Sequence, residues 1–248
     1  MMTKTNNAIE AIKLNAHSIY TIEDCYLNAI MNLLSLAKYQ FNSAFIIENI
    51  NYLEEICSLP EDEAKKEKQI LRQLAENSTI DAVKISLCFE NIGKAILLGS
   101  GFIIHKVDKN INSDLFKEQQ KRPIEISEFA NDHWFEDDKV NTTDNNLKKK
   151  IMGVSQVHTI HYSTIIGKPK YSGLLNIDND MLQFLREIND RRNQLHFLNT
   201  FGVTLKNSDY DRYKSLKEQV DSYYNKALLK YKDRTGKTIN GLDLIMKE

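Results

Sequence analysis

The sequence predicts an all-α protein, a single-domain bundle of long antiparallel helices over residues 1–248 with an irregular insertion around 107–165. Three observations carry that expectation. Only 9 Gly and 3 Pro punctuate 248 residues, too few for a turn-rich sandwich or a collagen-like or Pro-rich chain. Apolar residues recur at three- and four-residue steps through several long windows. The hydrophobic content of 42% is too high for a disordered chain, and the length suffices to bury a core.

Segment 22–57 reads as the first long helix. Thr21 is its N-cap, Glu23 and Asp24 suit the first turn, and Ala29, Leu33, Leu36, Phe41, Phe45 and Leu53 trace one face. Pro60 opens a charge-rich helix over 60–76, with acids leading and bases following. Segment 79–106 reads as a separate helix, capped by Thr79 with Asp81 in its first turn. Gly99 and Gly101 mark close packing or a kink. Between 106 and 147 the pattern is irregular, with one short element expected around Ile124–Trp134. The β-branched segment 151–167 is consistent with strand or helix. Helical spacing returns over 179–199, where Met181, Leu185, Ile188 and Leu195 mark a face with Phe184 beside them. A last helix is expected from about 208 to 232, and with the tail it spans 208–248.

Lys plus Arg number 33 and Asp plus Glu 34, a net charge of -1, so any nucleic-acid site must be local. Cys25, Cys57 and Cys88 are isolated and fit reduced core residues of a cytoplasmic protein better than disulfides or a zinc site. Glu10 interrupts the N-terminal segment, which argues against a secretory signal. The run Ala95–Ile104 is too short to span a membrane. The spacing of His158 and His161 allows two imidazoles on one helical face or on opposite faces of a strand, but further ligands at metal spacing are not evident, so no metal or cofactor is expected. The runs Lys117–Arg122 and Lys148–Lys150 read as solvated faces that are also able to meet phosphate.

The helix at 179–199 departs from its own pattern at Arg191 and Arg192, which fall along the apolar stripe between Ile188 and Leu195. His196 follows Arg192 by four residues, about 40° away on the same face. Charges at a core edge need carboxylates, water or an anionic ligand. Ion pairs with Glu187, Asp190 or an acid on a neighbouring helix would satisfy them equally well.

The hexamer Arg191-Arg192-Asn193-Gln194-Leu195-His196 resembles the R-x4-6-H motif of the HEPN superfamily, α-helical domains of prokaryotic toxins, abortive-infection proteins and RNA-guided ribonucleases. The stretch Ala82–His105 is similar to the long HEPN helix, and Ala44–Ile56 has a related look. Family members commonly carry Asn, Asp or His directly after the motif Arg. Here Arg192 holds that position and Asn193 follows.

The resemblance implies metal-independent endonucleolytic cleavage of RNA by its own 2′-OH, leaving a cyclic phosphate, in a bacterial defence or toxin–antitoxin system. His196 would take the 2′-OH proton or protonate the leaving oxygen. Arg191 would hold the phosphate and stabilise its developing charge. Arg192 would share that task, with Asn193 and Gln194 orienting substrate. Glu90, Lys94 and His105 are candidates for the cleft wall. One imidazole does not easily serve as acid and base in the same step, so a homodimer bringing two hexamers together is implied. The alternative is a non-catalytic HEPN-like module that binds RNA, a nucleotide or a protein partner such as a nucleotidyltransferase-type antitoxin. A third reading is a helical interaction protein in which both arginines are held by intrachain carboxylates.

Overall fold

Glu23–Asn42 forms the first long helix, α1, and its apolar periodicity explains it: Tyr26, Ala29, Ile30, Leu34, Ala37 and Phe41 are the residues it buries. The computed structural model describes residues 19–20, 23–64, 66–110, 112–130, 154–193 and 207–237.

The expected helix over 22–57 is three helices. After α1 the chain turns at Ser43 and Ala44, then forms α2 (Phe45–Glu48) and α3 (Ile50–Ser58). The cause lies in another part of the chain. The Asp81 carboxylate accepts hydrogen bonds from the Phe45 and Ile46 amides at 2.8 and 2.9 Å, and Lys84 donates to the Ser43 carbonyl. Asp81 thus caps α2 from a neighbouring helix.

After the single turn α4 (Glu61–Ala64), α5 runs unbroken from Lys68 to Gly99. The expected boundary at Thr79 is absent, because no Gly or Pro interrupts 68–92. Asn77 and Ser78 satisfy their side chains on the Gln73 and Ala75 carbonyls, each at 2.8 Å, rather than starting a new helix. The helix stops at Gly99, short of 106. Gly101 takes a φ of 87°, a left-handed conformation that favours glycine. A Cβ on Gly99 would lie 2.4 Å from the Ala227 carbonyl oxygen, so that position sets a close helix–helix approach.

The chain then forms β1 (His105–Val107), α6 (Ser113–Gln119), α7 (Ile126–Ala130), β2 (Val154–Thr159), α8 (Tyr162–Gly167) and α9 (Pro169–Leu175). β1 and β2 pair antiparallel, with His105 opposite Thr159 and Val107 opposite Val154. Gln119 bonds the same strand, donating to the His105 carbonyl at 2.8 Å and accepting from the Val107 amide at 2.9 Å. The mostly helical class holds, with this two-stranded sheet added. The boundary of the irregular insertion needs correction: β1 begins at 105, and Ile160, Tyr162, Ile165 and Ile166 are core residues. Of the element expected around Ile124–Trp134, α7 is the described part.

Two long helices close the fold, α10 (Asn179–Asn193) and α11 (Asn207–Thr235). Asp178 caps α10 by accepting from the Met181 amide at 2.7 Å. α5 is the central element and packs against α1, α2, α8, α10 and α11. Their buried faces join in one hydrophobic cluster. Among the described residues no helix is long and apolar enough to cross a membrane.

Candidate functional site

The C-terminal turn of α10 presents Arg191 and Arg192. Consecutive helical residues diverge by about 100°, so the two guanidiniums reach different neighbours. Arg191 Nη2 lies 3.7 Å from Asp209 Oδ2 on α11, and Arg192 Nη1 lies 3.7 Å from Glu90 Oε2 on α5. Their side chains are 30% and 32% exposed, a half-buried placement that matches their position on the edge of the apolar stripe. Asn193 ends the helix, exposed. Gln194 and His196 lie outside the described residues.

Both contacts exceed hydrogen-bond length. A guanidinium carries five N–H donors, so neither ion pair uses up the donor capacity of its arginine. Glu90 is shared further. Its Oε1 accepts from Lys94 Nζ at 2.6 Å, and the two side chains are 15% and 9% exposed. One carboxylate therefore stands between a buried ammonium and a half-exposed guanidinium. The α10–α5 packing makes this arrangement, because Glu90 and Lys94 are one turn apart on the face of α5 that α10 and α8 approach.

Two further basic groups, missed from the sequence, close on the same place. α8 lies against α5 at Gly93, where a Cβ would sit 2.6 Å from the Ile165 Cγ2. That contact fixes His161, one turn before Ile165, beside the Glu90–Lys94 turn. His161 Nε2 meets Lys106 Nζ of β1 in a hydrogen bond. Partial desolvation of the ring, then the Lys106 ammonium, hold the His161 pKa below its ordinary value; Glu90 opposes this, and Lys94 and His158 add to it. The imidazole is accordingly neutral near pH 7 and accepts the lysine proton donor. Tyr162 follows directly, fully buried, its hydroxyl 3.4 Å from the Leu185 carbonyl. Burial pushes that hydroxyl well above the ordinary range, and both Arg192 and Glu90 act on it electrostatically. The signal available in the sequence is the His158–His161 pair, whose spacing bears on metal ligation and not on a phosphate contact.

His105 serves the fold. It is 6% exposed, and its ring meets Tyr20 edge to face at 5.5 Å. The Tyr20 hydroxyl accepts from the Ile104 and His105 amides at 2.9 and 3.1 Å. Its own proton therefore goes to His105 Nδ1, 2.6 Å away. Burial, helped by Lys94, lowers the His105 pKa to about 4. It is a neutral, committed ring near pH 7, not one poised to exchange a proton with substrate.

The other candidates divide. Lys117, Lys121 and Arg122 are ion-paired with Asp114, Glu118 and Glu128, the last through two guanidinium bonds of 2.7 and 2.8 Å. Lys148–Lys150 lie outside the described residues. Cys88 is buried, and burial pushes its thiol far up. Cys25 is half-buried, and the side chain of Cys57 lies outside the described residues. Among the described residues no three His, Cys, Asp or Glu side chains gather as metal ligands.

Comparison with protein-family models, with curated proteins and with solved structures returns no match to this chain.

Proposed function

We propose that the protein is a metal-independent endoribonuclease of the HEPN type, acting in bacterial defence or a toxin–antitoxin pair, with Arg191 and His196 as its catalytic residues. The observation supporting this reading is the pair of half-exposed guanidiniums at the end of α10, each with a carboxylate at 3.7 Å, Arg191 also meeting the Tyr213 hydroxyl. Such arginines are positioned without being neutralised by a tight bidentate bond, and they retain donors for a phosphate. In this reading Arg191 stabilises charge on the phosphate oxygens, Arg192 and Asn193 hold substrate, and two copies of the hexamer meet in a homodimer. His196 moves the proton at the 2′-OH or the leaving oxygen.

The test is incubation of the full-length protein with mixed RNA in EDTA. Cleavage with 2′,3′-cyclic phosphate ends is expected, with loss in both Arg191→Ala and His196→Ala. Activity that requires a divalent metal, or that persists in His196→Ala, refutes the reading.

The same two contacts favour a second reading, a helical binding module whose arginines are structural, since Asp209 and Glu90 are both intrachain partners. It is distinguished by tight folding, partner or RNA binding, and no RNA cleavage by the wild type.

A further inference from the structure

Lys94, Lys106 and Arg192 approach a region that holds one carboxylate, Glu90, among the charged groups acting on His161. Glu90 is already committed to Lys94 at 2.6 Å and to Arg192 at 3.7 Å. Lys106 makes its contact with an imidazole instead of a carboxylate. Among the described residues, three cations on one anion leave an excess of two positive charges. Folding brings these groups together from α5, β1, α10 and the residue before α8, so the excess is built by tertiary structure and not by one charged run.

Like charges gathered at a partly exposed site raise the energy of the fold unless an anion joins them. His161 and His158 are exposed, so the approach is open on that side. Lys106 offers ammonium donors, Arg192 a planar fork, and His161 a ring that becomes a donor once protonated.

We propose that Lys106, His161 and Arg192, gathered round Glu90, bind a phosphodiester of single-stranded RNA, a backbone subsite beside the arginine pair. This rests on the ribonuclease reading for the identity of the polymer. The chemistry recognised is phosphate, and a free phosphate or mononucleotide is the other source of it. The subsite fixes the path of the strand: it leaves the end of α10 and passes over the start of α8 and the edge of β1.

The experiment uses the full chain and a labelled 2′-O-methyl RNA oligomer, which binds but has no 2′-OH to react. Fluorescence anisotropy gives Kd for the wild type, Lys106→Gln, His161→Gln and the double variant, with Lys230→Gln on the exposed face of α11 as control. Thermal melts select variants that remain folded. Each single variant is expected to weaken binding on the order of tenfold, and Lys106→Gln also to flatten the salt dependence by about one contact, with the control unchanged. In parallel, NMR of the His161 ring follows its titration. Phosphate binding raises the His161 pKa against the pull of Lys106, Lys94 and His158, in the direction Glu90 already acts.

Oligomer binding that is unchanged in the folded double variant overturns the proposal. So does a His161 titration that ignores the oligomer. Inorganic phosphate or AMP saturating the site at lower concentration than the oligomer overturns the RNA assignment in favour of a small phosphate ligand. If RNA is cleaved in EDTA while the variants bind normally, the subsite fails and the ribonuclease reading stands. If the variants bind weakly and the wild type cuts no RNA, the subsite stands and the ribonuclease reading fails.

Discussion

Replacing His105 with Gln should make the protein less stable at pH 7, and that deficit should vanish as the pH falls to 4. The wild-type ring is 6% exposed, accepts from Tyr20 at 2.6 Å and has its pKa lowered from 6.5 to about 4 by burial and then by Lys94. In the unfolded chain the imidazole takes a proton near pH 6.5, while the folded protein refuses it until about pH 4. The contribution of His105 is therefore complete above the unfolded value and is lost as pH drops through that window. A depression of this size corresponds to about 3 kcal/mol. Gln has no proton to take, so it escapes the loss. The measurement is urea unfolding of both proteins at pH 7, 6, 5 and 4, comparing the difference between them, in which shared carboxylate titrations cancel. A difference that stays constant across the range refutes the assignment of a neutral, buried His105. It would also restore this ring as a candidate proton carrier.

Asp81→Ala removes the acceptor for two amides of α2 and should cost about 2–4 kcal/mol, roughly 5–15 °C in Tm, while Asp81→Asn keeps one acceptor and costs less. Equal melting of the two variants would show that the cap is not what stops α1. Gly99→Ala should lower Tm despite its better helix propensity, by about 1–3 kcal/mol net, since its methyl would enter the space of the Ala227 carbonyl. A stabilised Gly99→Ala would mean that α5 and α11 sit further apart than described.

What was legible in the sequence was whatever a single element decides. The α1 face and the buried Met181, Leu185 and Ile188 of α10 follow from spacing alone, because each helix buries one stripe. The break at Ser43 did not, since its cap is Asp81, 36 residues beyond Phe45. Thr79 looked like a cap because Thr and Asp favour that position, yet a helix with no Gly or Pro over 68–92 continues through them. β2 was foreshadowed by its β-branched residues, but its partner is the three-residue β1, across a long connection. The candidate site divides in the same way. Arg191 and Arg192 stood out against their own stripe, whereas Lys106 and His161 belong to no common element and meet only after α8 packs on α5 at Gly93.

A net charge of -1 gives the chain no long-range pull on a polyanion, and at physiological salt a local cluster acts over only about 8 Å. Binding to RNA must then come from a few direct contacts. For single strands each contact contributes about -0.7 to the slope of log K against log salt, so the three cations placed on phosphate, Lys106, Arg191 and Arg192, give about -2 for one copy. A dimer that brings two such clusters to the same strand doubles this to about -4. The slope, measured with a 2′-O-methyl oligomer between 50 and 300 mM salt (roughly the useful range), thus reports how many copies engage one RNA. A slope near -4 supports the paired-hexamer mechanism. A slope near -2 means that one copy holds the strand, and the second proton-transfer group must then come from within the chain. A slope near zero removes the cluster round Glu90 from RNA binding altogether.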